Sequence, residues 1–242
     1  MTIAAMIQKM SEGLGRTCSI FFLTLLFSLP LGLVMALLRR SRFSGVRGIR
    51  KVLISSLRGT PLMLQLLAVT YGPFYIGRAL EKLADAQNIA WFSSFVETVT
   101  DCAFFKVSSN KLIPIIIGFS INYAAYFAEI YRGGIESMPV GQYEAASVLG
   151  YGKFQTFMRI ILPQVIKRIL PSVTNEVITL VKDTSMAFTV AYQEMFTIGK
   201  QIANSQNSFM PFLIAGVFDY LFNALVAFVM SAFEKRLDYY RG

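Results

Sequence analysis

This sequence of 242 residues contains no histidine, which removes the commonest general base and the commonest transition-metal ligand. It also lacks the G-x-x-x-x-G-K-[ST] phosphate loop and the G-x-S-x-G and G-x-G-x-x-G motifs. The two cysteines, Cys18 and Cys102, match no metal or redox spacing. We therefore expect no catalytic residue, no metal site and no cofactor in this chain, and no ATP hydrolysis by the usual route.

Charge is also scarce. Charged residues make up 15% of the chain and hydrophobic residues 55%, whereas soluble domains average about 25% charged residues. The net charge of +9 could indicate a nucleic-acid partner, but the basic residues cluster at the ends of apolar blocks. That distribution is typical of membrane topology, so we predict an integral membrane protein with no nucleic-acid partner.

Five apolar blocks are long enough for a helix to cross a hydrocarbon core of about 30 Å. The predicted spans are residues 18–38, 52–76, 112–131, 170–192 and 211–233. The second contains Arg58 and the helix breaker Gly59-Thr60-Pro61. The first is too long, and too firmly closed by Arg39-Arg40, to be a cleaved signal peptide. We predict an all-α fold in which residues 1–242 form a single transmembrane domain.

Basic residues predict the orientation. Residues 39–51 contain six basic residues and no acid, and residues 132–168 contain five basic residues against two acids. Because Lys and Arg remain on the cytoplasmic side, both segments are predicted to be cytoplasmic, with the N-terminus outside and the C-terminus inside. Residues 79–111 then form an external loop. Residues 89–105 within it show helical apolar spacing with one polar face, which predicts a helix on the outer membrane surface.

The cytoplasmic loop at residues 136–168 contains the polar segment 144–163, EAASVLGYGKFQTFMRIILP. Pro139 suits the first turn of a helix, and Gly150 and Gly152 permit a sharp turn with positive φ. A second apolar stripe then ends at Pro163. We predict a helical hairpin whose small Ala145 and Ala146 allow close approach by another protein; the alternative is a hairpin that only packs under its own spans.

The hairpin carries a family signature. The pattern E-A-A, three residues, Gly, nine residues, I-x-L-P is matched by Glu144, Ala145, Ala146, Gly150, Ile160, Leu162 and Pro163. This segment resembles the integral membrane subunits of bacterial ABC importers. Four further segments resemble the polar amino acid branch of this family: Arg58-Gly59-Thr60-Pro61, Asn122-Tyr123-Ala124-Ala125-Tyr126, Glu129-Ile130-Tyr131-Arg132-Gly133-Gly134 and Val181-Lys182-Asp183-Thr184-Ser185. The resemblance covers nearly all of residues 15–240 and departs at the long external loop, 79–111.

The resemblance implies the type I ABC importer (MetI-like) permease fold and a multi-pass location in the bacterial cytoplasmic membrane. It also implies that the hairpin is a coupling helix seated on a separate ATPase, which assigns Glu144, Ala145, Ala146 and Gly150 to ATPase docking. The implied partners are two ABC ATPase subunits that bind ATP and Mg²⁺, a second permease copy or a sister permease, an extracytoplasmic amino acid-binding protein and membrane lipid. ATP-driven alternating access would then import a polar amino acid.

Polar residues within the spans predict the substrate path, because intramembrane charges are rare and usually functional. At about 1.5 Å per residue, Asn122 lies about 15 Å below the outer surface, and Lys182 and Asp183 about 18 Å above the inner one. Lys182 and Asn122 could bind a carboxylate and Asp183 an ammonium, with Tyr126 and Thr179 extending the same faces. The alternative is that these groups only satisfy one another between helices.

A second pair follows from the same reasoning. Arg58 and Glu129 are both placed near the cytoplasmic mouth, about 9 Å and 6 Å above the inner edges of their spans. Each charge is costly alone, so we predict that they pair as a gate or a static brace. The rival partner for Glu129 is Arg132, one helical turn away.

An ion-coupled secondary transporter is the alternative function, although five spans without an internal repeat argue against it. A membrane enzyme is a third possibility, but it would have no evident nucleophile. The sequence selects neither the amino acid, nor a homodimer over a heterodimer, nor a free over a lipid-anchored binding protein.

Overall fold

The computed structural model describes residues 2–37, 44–87 and 111–237, together with Ser94, Val96 and Thr98. Within these ranges every regular element is helical, which confirms the all-α prediction. The α-helices are α1 (Ile3–Leu37), α2 (Ser44–Gly59), α3 (Leu62–Gln87), α4 (Leu112–Glu136), α5 (Val140–Val148), α6 (Lys153–Thr156), α7 (Leu162–Asp183), α8 (Met195–Gln206) and α9 (Met210–Leu237). A π-helical segment, Phe157–Ile161, precedes α7, and a 3₁₀ segment, Thr184–Val190, follows it.

Three of these helices are long and apolar enough to cross a membrane by themselves: Ile3–Leu37, Leu112–Glu136 and Met210–Arg236. A fourth candidate is the pair Val52–Gly59 and Leu62–Ala86, which qualifies only if the two helices count as one bent span. The predicted span at 170–192 corresponds to the end of α7 and the 3₁₀ segment, where charged residues lower the apolar character. That the chain crosses the membrane five times stays a prediction.

The predicted span at 52–76 is not one helix, because the chain turns by 108° between α2 and α3. Pro61 has no N–H and restricts Thr60, so the α2 hydrogen-bond ladder stops there. A new ladder begins as the N–H groups of Leu64 and Gln65 donate to the Pro61 carbonyl at 3.0 and 3.3 Å. The sequence predicted the break but not the size of the bend.

Helix α3 continues to Gln87, so the first nine residues of the predicted external loop are helical. Ala84 near its end is buried, and so is Val96 in the predicted surface helix. Ser94, Val96 and Thr98 are helical, and the rest of that predicted helix lies outside the described residues.

Helix α4 lies at the centre of the packing. Phe119, Tyr123 and Phe127 repeat every fourth residue and are fully buried in one cluster with residues of α1, α3 and α7. Helix α1 approaches it closely at Gly32, where an added Cβ would lie 2.8 Å from Phe127 Cβ and 3.0 Å from the Ala124 carbonyl oxygen. Small residues at such contacts let backbones approach, which is how helices associate in membranes without a hydrophobic driving force.

The hairpin joins α7 through continuous helical backbone, which corrects the prediction that its second stripe ends at Pro163. The Leu162 N–H donates to the Phe157 carbonyl in an i→i+5 bond, and Pro163 occupies the first turn of α7. Proline has no backbone N–H, so the ladder of helical hydrogen bonds lacks one donor at this position. The π turn therefore lets the helical path pass the proline without a break.

Candidate functional site

The tip of the hairpin is a complete Schellman turn. Gly150 has φ +77°, in the left-handed region that favours glycine. Its N–H donates to the Ser147 carbonyl, and the Tyr151 N–H donates to the Ala146 carbonyl, both at 3.0 Å. This pair of bonds satisfies the last carbonyls of α5 and fixes the direction in which the chain returns. The predicted positive φ is present at Gly150 but absent at Gly152, which has φ −67° and caps α6.

The hairpin presents an apolar surface with no cover among the described residues. Val148 is 88% exposed, Leu149 73% and Phe154 76%. Exposed apolar residues grouped in this way mark a contact with a partner or a membrane. Glu144 and Ala145 are exposed beside them, as docking requires.

Ala146 differs in its exposure from the rest of the predicted docking set. Its side chain is only 1% exposed because it faces the interior of the hairpin. Its small size therefore serves the packing of the hairpin itself, and Ala145 alone of the pair is open to a partner.

Asn122 clasps the bend between α2 and α3. Its Nδ2 donates to the Leu57 carbonyl at 3.1 Å and to Gln65 Oε1 at 3.0 Å. Gln65 Nε2 in turn donates to the same Leu57 carbonyl at 2.7 Å and to Thr60 Oγ1 at 2.7 Å. Both amide hydrogens of Asn122 thus have protein acceptors. In this conformation it holds α2 and α3 together at the bend, and the predicted contact of Asn122 with a substrate carboxylate stays a prediction.

The residue beside it, Tyr123, reaches the predicted α7 group. Tyr123 Oη donates to Asp183 Oδ2 at 2.7 Å. Lys182 and Thr179 are exposed, and the Thr179 hydroxyl donates to the Asn175 carbonyl of its own helix. The structure therefore joins α4 to Asp183 through Tyr123 and leaves Lys182 open.

Helix α7 carries a continuous exposed polar stripe. Six positions spaced three or four apart are exposed along one face: Gln164, Arg168, Ser172, Asn175, Thr179 and Lys182. The opposite face is buried, with Val177 and Leu180 in the cluster that also contains Phe119, Tyr123 and Phe127. A polar stripe on a helix at membrane depth is expected to face protein or water and not lipid.

Glu176 lies half-buried beside this stripe and was missed by the sequence reasoning. It interacts electrostatically with Arg58 and Asp183. The signal was available, because Glu176 is a carboxylate within the predicted span 170–192, where every charge is a candidate. Gln65 and Tyr123 gave no comparable signal, because their roles depend on which helices meet.

Arg58 and Glu129 are not joined to each other by any ion pair found in the part of the chain that the structure describes. The Arg58 guanidinium lies over the Tyr126 ring, 5.1 Å from its centre. Glu129 forms an ion pair with Arg132, the rival partner, which also pairs with Glu136. The structure shows the rival pair, and the pair between Arg58 and Glu129 stays a prediction for another conformation.

The opposite end of α4 is held by Lys111. Its ammonium donates to the Val190 carbonyl at 2.8 Å, at the end of the 3₁₀ segment, and lies over the Tyr71 ring of α3 at 5.8 Å. The next residue, Ala191, has φ +54°. A seven-residue 3₁₀ run followed by a left-handed alanine is an uncommon conformation, and such segments often act as hinges.

Comparison with known proteins gives the family. Residues 28–239 match the family described as "Binding-protein-dependent transport system inner membrane component". An L-cystine transport system permease protein of Bacillus subtilis (strain 168) is 31% identical over 96% of this chain and 87% of its own length. An octopine transport system permease protein of Rhizobium radiobacter is 34% identical over 87% of this chain and 80% of its own.

Solved structures share the fold. An amino acid ABC transporter with histidines superposes with a TM-score of 0.76 at 24% identity, over 98% of this chain and 99% of that one. An inward-facing methionine ABC transporter superposes with a TM-score of 0.68 at 16% identity over the same fractions. The family match over most of the chain and the shared fold agree, and the chain is a member of the family of binding-protein-dependent transport system inner membrane components, which includes amino acid ABC transporter permeases.

Proposed function

We propose that this chain is the permease subunit of an importer that moves a polar amino acid across the bacterial cytoplasmic membrane by alternating access. Two ATPase subunits, which bind ATP and Mg²⁺, dock on the hairpin and supply the energy. Five spans with the N-terminus outside and the C-terminus inside place that hairpin in the cytoplasm. The observation that carries the proposal is the exposed apolar hairpin tip joined by unbroken helix to the polar stripe of α7.

The stripe forms one wall of the substrate path, and a second permease copy or a sister permease supplies the other. Lys182 and Asp183 present a cation and an anion one residue apart, which suits the carboxylate and ammonium of an amino acid. Tyr126 and Thr179 continue the path inward, and Asn122 joins it when the bend opens. An extracytoplasmic binding protein delivers the solute at the Lys111 end.

Docking is tested by Gly150→Val, with Gly141→Val as the matched control. A valine at φ +77° is strained, so the turn must change and the tip loses its direction. Gly141 has open space around it and no positive φ, so the same substitution leaves the turn intact. We expect substrate-stimulated ATP hydrolysis in liposomes to fall about tenfold for Gly150→Val, from a conformational penalty of about 1–2 kcal/mol. Full activity with unchanged affinity for the ATPase would refute the docking role.

The substrate path is tested by Asp183→Asn and Thr179→Val in the assembled complex, screened against the twenty amino acids. We expect Asp183→Asn to raise the KM for uptake, and Thr179→Val to do so less because its hydroxyl already bonds its own helix. Unchanged KM for both variants would remove α7 from the path. The alternative, an ion-coupled secondary transporter, requires uptake that persists without ATP and without a copurified ATPase.

A further inference from the structure

A cavity of about 640 Å³ lies between the hairpin and the ends of α1 and α4. Its apolar wall includes Leu37 at the end of α1, Ile135 near the end of α4 and Phe157 of the π segment. It is separate from the apolar docking surface, because the exposed Val148, Leu149 and Phe154 do not line it.

The polar lining of this cavity consists mainly of donors. Tyr143, Ser147 and Tyr151 repeat every fourth residue along the hairpin, and Lys153 follows them. The described residues provide no hydrogen-bond acceptor for these four side chains. Together they offer three hydroxyl groups and one ammonium to a ligand.

The one carboxylate in the lining already has a cationic partner. Glu136 pairs with Arg132, which also pairs with Glu129. Among the lining residues Arg132 and Lys153 are cationic and Glu136 is anionic, and no ion pair joins Lys153 to another described residue, so the lining favours an anion over a cation. Several donors around one cation suit an anion with several oxygens.

We propose that this cavity binds a phosphate-bearing anion at the inner membrane surface, the headgroup of an anionic phospholipid or a soluble phosphate. Basic pockets between spanning helices on the cytoplasmic side bind such headgroups, and tyrosines are enriched at this level of the membrane. The apolar wall at Leu37 and Phe157 accommodates the glycerol and upper acyl chain of a lipid. The inference relies on the proposed function only for the side of the membrane on which the cavity opens.

The bound anion would link three elements. Its oxygens contact the hairpin through Tyr151 and Lys153, while its body lies against the ends of α1 and α4. A filled cavity holds the docking hairpin at a fixed position beneath the spans, so the anion controls how closely hairpin movement is coupled to α7.

The test compares Lys153→Gln with Lys235→Gln in the permease–ATPase complex. Lys235 is an exposed cation in the last turn of α9 and does not line the cavity, so both variants lose the same charge. Complexes are reconstituted in liposomes of equal parts phosphatidylcholine and phosphatidylglycerol, re-extracted, and weighed by native mass spectrometry for retained phosphatidylglycerol. Loss of one cation at a membrane surface is expected to lower retention about fivefold for Lys153→Gln only.

Two further variants control for local damage. Ser147→Leu narrows the cavity without a change of charge and should also lower retention, whereas Lys153→Arg should preserve it. Glycerol 1-phosphate is then titrated into the complex. Displacement of the lipid identifies a soluble phosphate as a competing occupant, and persistence of the lipid identifies the headgroup as the source.

Equal retention in Lys153→Gln and Lys235→Gln, or full retention in Ser147→Leu, would overturn the proposal. Retention is measured without ATP and at confirmed ATPase stoichiometry. Its failure is therefore distinct from failure of the docking proposal, which is read from ATP hydrolysis.

Discussion

Helices α4 and α9 both qualify as membrane spans, yet they are used differently. Over its most apolar 18 residues 56% of α4 is buried within the chain, whereas for α9 the share is 6%. The more apolar helix, α9, is thus the one left outside. In a membrane, strong apolar character indicates contact with lipid, and small and polar residues indicate contact with protein.

The largest difference in stability is expected between two glycine substitutions, one at the contact of α1 with α4 and one on α9. Gly32→Ala places a methyl group 2.8 Å from Phe127 Cβ and 3.0 Å from a backbone oxygen of α4, so α1 and α4 must separate. We expect a loss of about 1–3 kcal/mol in the free energy of unfolding. Gly216→Ala on α9 meets open space and should leave stability unchanged. Circular dichroism melts of each purified variant in detergent measure both.

An equal loss for the two glycine variants in the isolated chain would break the contrast between α4 and α9. A loss for Gly216→Ala in the assembled complex alone would show instead that a partner subunit covers α9.

A smaller effect is expected for asparagine. Asn122→Ala removes both hydrogen bonds that Asn122 makes to the bend and leaves Gln65 Oε1 without this donor, while the Leu57 carbonyl keeps the bond from Gln65 Nε2; the loss should be about 1–2 kcal/mol. Asn223 on α9 has a buried Oδ1 that bonds no described residue, so Asn223→Ala should be nearly neutral. The melting temperatures of the two variants test this difference. A larger loss of stability for Asn223→Ala than for Asn122→Ala would mean that the Asn223 oxygen has a hydrogen-bond partner in the purified protein.

The smallest difference in stability is expected between two Tyr→Phe variants, one on α4 and one on α9. Tyr131 Oη donates to the Leu29 carbonyl across the α1–α4 contact at 3.3 Å, so Tyr131→Phe should cost about 0.6 kcal/mol, the typical value within membranes. Tyr220 on α9 is 72% exposed, and Tyr220→Phe should have no measurable effect. Replicate unfolding in graded SDS has the resolution needed, and indistinguishable midpoints would mean that this bond adds no stability.

The sequence predicted features that depend on local chemistry. Pro139, Gly150 and the spacing between them specify the hairpin, because a left-handed turn requires glycine and proline suits a helix start. The break at Gly59-Thr60-Pro61 was predicted for the same reason.

Features that depend on which helices meet could not be predicted in this way. The 108° bend is held by Asn122 and Gln65, which lie 57 residues apart in the chain. Ala145 and Ala146 are chemically identical, and only the fold decides which faces outward. Arg132 prevailed over Arg58 as the observed partner of Glu129 because a pair one helical turn apart needs no tertiary contact to form.

The π segment before Pro163 has a mechanical consequence. From Lys153 to Asp183 the backbone is helical without interruption, a path about 45 Å long at about 1.5 Å per residue that includes Pro163 and Pro171. If this path moved as one stiff body, a tilt of roughly 10° at the hairpin end would displace Asp183 by about 8 Å, close to the distance between two packed helices. If Pro163 interrupted the helix, the tilt of the hairpin would be absorbed at that flexible point and would not reach Asp183. Because the π turn carries the helix past Pro163, the hairpin and Asp183 stay on one helical path, and a tilt of the hairpin can move Asp183.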